Sequence, residues 1–247
     1  MFPLRYLPGL AAWAFSLAQA ASPGAPAAPT APAAAHTVPD TMGQRMMVCT
    51  ACHGEQGRAT NAGYFPRIAG KPAAYLYNQL QHFRAGRRQA VGMTALLDPL
   101  TDDYLHEMAA HFASLDLPYP PPAPVTADPA TLRRGEQLVK VGDPTRQLPS
   151  CNSCHGERMT GVQPAIPGLL GLPRDYLVGQ LGGWQTGLRR ATAPDCMGEV
   201  AKRLNGSDIA AVASWLAAQP LPADPKPAAA LPARLPLTCG SDLGGVR

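Results

Sequence analysis

The chain has 247 residues with 28 prolines, 24 glycines and a formal net charge of +4. So much turn-forming residue leaves room for two small domains rather than one large core. The lysines and arginines form no dense run of the kind that neutralises a phosphate backbone, which excludes nucleic acid as a partner.

Residues 1–20 read as a secretory signal: Arg5 is the only charge, Leu7 to Ala18 is apolar, and Ala18-Gln19-Ala20 supplies small residues for cleavage. The apolar stretch is shorter than the roughly 20 residues that span a bilayer, so a cleaved leader is expected over a retained anchor. No later segment is apolar enough to span, and the mature chain is expected in the periplasm. Residues 21–40 are mainly Ala and Pro without apolar periodicity, and read as a disordered tether.

A first domain is expected over 41–115. A short helix from Thr41 to Val48 leads into Cys49-Thr50-Ala51-Cys52-His53. This CxxCH pattern returns as Cys151-Asn152-Ser153-Cys154-His155 and is the sign of covalent c-type haem attachment. Two cysteines one helical turn apart each form a thioether with one haem vinyl group, and the adjoining histidine is then held beneath the iron. Zinc sites and redox disulfides also use CxxC, but neither requires a histidine directly after both pairs. Two haem c groups are therefore expected, with His53 and His155 as proximal ligands. Their propionates would bring the mature chain near neutrality.

Internal repetition extends beyond the cysteines. Pro66 to Gly70 matches Pro167 to Gly171, and Tyr75-Leu76 with Gln79-Leu80 matches Tyr176-Leu177 with Gln180-Leu181. Pro66 and Pro167 follow their histidines by 13 and 12 residues. Each is placed to offer its backbone carbonyl to the proximal imidazole, as partners of metal-bound histidines do. Met93 and Met197 precede equivalent terminal helices and are the candidate sixth ligands, the combination with histidine that raises reduction potential. Met108 lies on a helix's apolar face, Met159 is too close to His155, and Met42, Met46 and Met47 read as packing residues. His82 is the nearest alternative ligand in the first half, whereas the second half has no histidine but His155.

The first domain closes with Leu105, Met108, Ala109 and Phe112 at helical spacing after an N-cap at Thr101. Ile209, Val212, Ala213 and Leu216 repeat this after Asn205. His106 and His111 read as surface residues. Between the halves, 116–131 contains six prolines and reads as a stiff extended linker. The second domain is expected over 132–219, with a helix starting near Thr131. Gly142 to Ser150 is an insertion absent from the first half, either a plain surface excursion or a loop that alters access to the haem. Residues 220–247 form an extended Pro/Ala-rich tail. Cys196 and Cys239 remain after thioether formation, and an oxidising compartment favours their bridging. Arg84, Arg87, Arg88, Arg189 and Arg190 either reach haem propionates or form a solvated basic cluster.

These residues resemble the di-haem cytochromes c of the cytochrome c4 family over roughly Gly43 to Gln219. The resemblance rests on both CxxCH motifs, the Tyr-Leu and Gln segments, and Met93 and Met197 before their helices. It implies an all-α fold of two tandem class I cytochrome c domains, each wrapped around one haem. It also implies an electron carrier between a redox-protein donor and an acceptor such as a membrane-bound oxidase, contacted peripherally. The tether and the Cys196 and Cys239 pair depart from the family pattern and leave the oxidase open as partner. An electron-accepting subunit of a periplasmic dehydrogenase is the alternative. A di-haem peroxidase requires a displaceable distal ligand, against which the paired methionines argue. No catalytic residue is expected.

Overall fold

The computed structural model describes residues 39–60, 63–122, 124–231 and 233–241. The expected leader over 1–20, most of the expected tether and the last six residues lie outside these. Asp40, assigned above to the tether, is tied to the first helix by two hydrogen bonds from Arg45, at 2.6 and 2.8 Å.

The first half is built from α1 (Met42–Arg45), α2 (Met47–His53), α3 (Ala73–Arg84), α4 (Val91–Leu97) and α5 (Asp102–Ser114). Thr41 caps α1 by accepting from the Gln44 amide, and Thr101 caps α5 by accepting from that of Tyr104. Met46, Leu97, Leu105, Met108 and Phe112 form the buried core, against which Met42 and Met93 pack. Met47 is different: it is 61% exposed. His106 is stacked on Tyr77, with ring centroids 3.6 Å apart.

The second half repeats the plan with α6 (Pro129–Lys140), α7 (Asn152–His155), α8 (Arg174–Thr186), α9 (Cys196–Lys202) and α10 (Gly206–Ala218). A short hairpin of β1 (Gly161–Val162) and β2 (Ile166–Pro167) is the only sheet among the described residues. Helix α6 begins at Pro129 rather than near Thr131. Asp128 accepts from the Ala130 and Thr131 amides, and a proline suits a first helical turn, so the proline-rich linker ends three residues earlier than expected.

The closing helices pack differently in the two halves. Helix α5 lies mainly on α3, whereas α10 crosses α6 closely as well as contacting α8. Gly135 permits that crossing, since a Cβ there would stand 2.2 Å from the Ala211 carbonyl oxygen.

The inserted segment is a braced turn. Asp143 and Leu148 pair across it, Leu148 is buried, and Pro144–Arg146 forms one 3-10 turn. Arg134 and Arg146 both donate to Asp208, at 2.9 and 2.7 Å, and both also meet Asp143. Asp208 meanwhile completes a capping box with Asn205 at the start of α10. The turn before the second CxxCH is thereby fastened to the last helix.

From Pro39 onward the chain forms one compact unit. The linker is held to the first half by Arg67, which donates to the Pro118 carbonyl and lies 3.8 Å from the Tyr119 ring centroid. The tail returns along the second half, where Ala228 exchanges backbone hydrogen bonds with Gly161 and Gln163. Its last described residue, Ser241, meets the first half, with Asn78 donating to the Ser241 carbonyl.

Candidate functional site

Each CxxCH motif occupies the end of a helix. Cys49, Cys52 and His53 lie on α2, and Cys154 and His155 on α7, with Cys151 capping it. A glycine follows each histidine. Gly54 and Gly156 have φ of 77° and 82°, the left-handed region that turns the chain out of the helix at once. The four motif cysteines form no disulfide. Burial pushes the Cys151 thiol up to about 12 and raises those of Cys49 and Cys154.

Both imidazoles are buried and oriented alike. His53 Nδ1 lies 2.9 Å from the Pro66 carbonyl oxygen, and His155 Nδ1 lies 2.7 Å from that of Pro167. A carbonyl only accepts, so each Nδ1 carries the proton and donates it, leaving the lone pair on Nε2. Burial lowers both imidazoles, the proline carbonyls oppose this, and nearby cations lower them further: Arg88 for His53, Lys71 and Arg189 for His155. The result is a neutral, oriented Nε2 donor in each half, which is what an iron ligand requires. The donor set therefore fits a covalently held haem at each motif.

Met93 and Met197 occupy equivalent places. Each lies in the first turn of a seven-residue helix, α4 or α9, packed on the helix that carries Tyr75 and Gln79 or Tyr176 and Gln180. Both are half-buried. Cys196 and Cys239 are joined in a disulfide with Cα atoms 5.1 Å apart. Beside it the Gly240 amide donates to the Pro194 carbonyl, so the tail is anchored next to Met197.

The basic residues divide. Arg84 is paired with Asp102, and Arg190 is exposed. Arg88 and Arg189 meet between the halves in an antiparallel backbone bridge, flanked by hydrogen bonds from the Gln89 amide to the Leu188 carbonyl and from that of Arg190 to Arg87. Arg189 is 8% exposed, and the reading as a solvated cluster does not hold for it. The sequence carried a signal: Arg88 and Arg189 stand the same distance apart as Tyr75 and Tyr176. Burial raises the phenol of Tyr75, yet Arg189, Arg88 and Lys71 outweigh it and pull that phenol below its usual value.

No family model matches the chain. The thiosulfate dehydrogenase electron acceptor of Thiomonas intermedia is 36% identical over 70% of this chain and 79% of its own length. Cytochrome c4 of Pseudomonas aeruginosa is 34% identical, over 68% and 82%.

The chain belongs to the cytochrome c4 family.

Solved structures agree: reduced recombinant cytochrome c4 from Pseudomonas stutzeri superposes with a TM-score of 0.61 at 33% identity, over 71% of this chain and 95% of that one. The TsdBA thiosulfate dehydrogenase of Marichromatium purpuratum gives 0.63 at 35% identity, over 70% of this chain and 36% of that one. A member of the cytochrome c4 family is a di-haem electron-transfer protein with an all-α fold of class I cytochrome c domains. No described helix is long and apolar enough to cross a membrane.

Proposed function

We propose that this chain is a periplasmic electron carrier, exported by residues 1–20, that takes electrons from a dehydrogenase and passes them to a terminal acceptor such as a membrane-bound oxidase. Cys49 and Cys52 would hold one haem by thioethers, with His53 and Met93 as donors to its iron. Cys151 and Cys154 would hold the other, with His155 and Met197 as donors. Haem supplies the one-electron redox couple; the chain supplies the attachment, the two axial donors at each iron and the burial that sets the potential.

The observation that carries this reading is the duplicated site, with each CxxCH histidine aligned by a proline carbonyl at 2.9 or 2.7 Å. A second reading, a cytochrome subunit bound lastingly to its dehydrogenase, is favoured by the relatives named as thiosulfate dehydrogenase electron acceptors. Stopped-flow mixing with a thiosulfate dehydrogenase and thiosulfate separates them. A carrier is reduced at a rate that rises with its own concentration, and thiosulfate alone leaves it oxidised. A bound subunit is reduced at a rate independent of dilution and elutes with the enzyme. Reduction by thiosulfate without the enzyme overturns both readings.

A further inference from the structure

The two CxxCH motifs orient their histidines alike but are not equally open. Around the first, Met47, Val48, Ala51 and Cys52 are exposed, Met47 at 61% and Val48 at 53%. At the same places around the second, Pro149, Ser150, Ser153 and Cys154 are all half-buried. The loops that follow differ in the same sense. Arg58 is exposed and Ala59 and Thr60 are half-buried, whereas their counterparts Thr160, Gly161 and Val162 are buried.

Two segments flank the second motif. Before it stands the inserted turn, which has no counterpart in the first half and is closed by backbone hydrogen bonds exchanged between Asp143 and Leu148 at 2.8 and 3.0 Å. After it comes the returning tail. Arg158 donates to Asp224 at 3.2 Å, Ala228 is bonded along the hairpin at Gly161 and Gln163, and Cys239 is bridged to Cys196. The tail is thus fixed both to the segment that follows His155 and to the helix that carries Met197. These attachments are covalent or hydrogen-bonded at each end, so the tail is part of the folded surface there rather than a loose extension.

A thioether pins a haem edge at its cysteine, so the exposure of that cysteine sets how near a partner's cofactor can come. Electron transfer weakens steeply with that distance. We propose that the first motif is the port at which this chain exchanges electrons with partner proteins, while the second exchanges them only with the first. This rests on the reading that each CxxCH holds a haem. Each exchange moves one electron and no atoms: the partner's cofactor is oxidised as the chain is reduced, or the reverse. The surface of the port fixes the kind of partner. Met47, Val48, Ala51 and Cys52 carry no formal charge, and Arg45, in the turn before them, is already neutralised by Asp40 at 2.6 Å and Glu107 at 4.0 Å. The matching partner is a redox protein whose own cofactor edge is ringed by uncharged apolar side chains, because a charge brought onto this face loses water without gaining a counter-ion.

The test begins with haem content and then reads exposure in the reduced wild-type chain. An uncharged gadolinium chelate in solution broadens the proton resonances of the thioether bridges, which are assigned to each motif through His53 and His155. Broadening is expected to be several-fold greater at the Cys52 bridge than at the Cys154 bridge. Reduction by a reduced monohaem cytochrome c is then followed by stopped flow at about 0.5 M salt, where long-range steering is screened. Val48→Glu and Val48→Lys are both expected to slow it roughly tenfold, since either charge must be desolvated at the contact. Val141→Glu, at an apolar position of the second half that is 66% exposed, is expected to leave the rate unchanged. Equal broadening at the two bridges, wild-type rates in both Val48 variants, or equal slowing by Val141→Glu overturns the port and leaves the haem reading intact. Opposite effects of Glu and Lys at position 48 identify a charged partner face and overturn the apolar one. A wild-type chain without two haems overturns the port together with its premise.

Discussion

Replacing Asp208 by alanine tests whether the last helix and the inserted turn are one mechanical unit. The Asp208 side chain is 4% exposed and accepts from Arg134 Nε at 2.9 Å, Arg146 Nη1 at 2.7 Å and the Asn205 amide at 3.3 Å. Two charge-assisted hydrogen bonds contribute about 1.5 to 3 kcal/mol each, and loss of the cap about 1 kcal/mol. Both arginines are about one-third exposed and keep Asp143, so they recover part of this by solvation, and the expected net loss is about 3 kcal/mol. For a compact unit of this size that lowers the melting temperature by roughly 6 to 12 °C. The assay is thermal unfolding followed by circular dichroism at pH 7, with hydrogen exchange across Leu148 to Cys151 reporting release of the turn. Burial raises the Asp208 carboxyl, but Arg146 and Arg134 outweigh this and hold it below its ordinary value of 3.8. Its contribution is therefore present above that value and lost as pH falls through the lower folded one, so the gap between wild type and variant narrows in acid. Asp175, 88% exposed and paired with its neighbour Arg174, is the control. If Asp208→Ala melts no lower than Asp175→Ala, the bracing argument is wrong.

Gly135→Ala places a methyl group 2.2 Å from the Ala211 carbonyl, so α6 and α10 must separate; a loss of about 2 kcal/mol is expected by chemical denaturation, against little for Gly182→Ala, which meets open space. Cys196→Ser opens a bridge between residues 43 apart and is expected to remove roughly 2 to 4 kcal/mol, with faster proteolysis of the tail; an unchanged melting curve under non-reducing conditions counts against the bridge. His82 is 2% exposed and lies near Arg87, Arg189, Arg88 and Asp195; burial, then Arg87 and Arg189, push it down to about 4. An imidazole lowered on folding contributes stability above its ordinary value of 6.5 that is lost as pH falls toward 4. Up to about 3 kcal/mol should disappear over that window in the wild type and not in His82→Gln, as read from denaturation midpoints against pH.

The candidate site residues stand out in the sequence because they are local or repeated. CxxCH is contiguous, Pro66 and Pro167 stand at nearly equal distances from their histidines, and Thr101 and Asn205 precede clear apolar periodicity. Contacts that join distant positions do not stand out. Arg134, Asp143, Arg146 and Asp208 form one network across 74 residues, and no single segment carries its pattern. Arg88 and Arg189 had the repeat spacing, but the sequence left open whether they reach haem propionates or form a solvated basic cluster; their burial arises only when two similar halves face each other. The linker's end was misplaced because Pro129 was counted with the proline run, although Asp128 before it is a capping residue.

The most direct test is the intact mass and spectrum of the purified chain exported from a host able to attach haem. The account predicts a mass increased by two haems, retained under denaturing conditions, with the pyridine haemochrome assay giving two per chain and the long-wavelength band of methionine-ligated ferric haem present. Met93→His and Met197→His should each remove half of that band and lower one potential. A single haem per chain, or a high-spin iron without the methionine band, contradicts it.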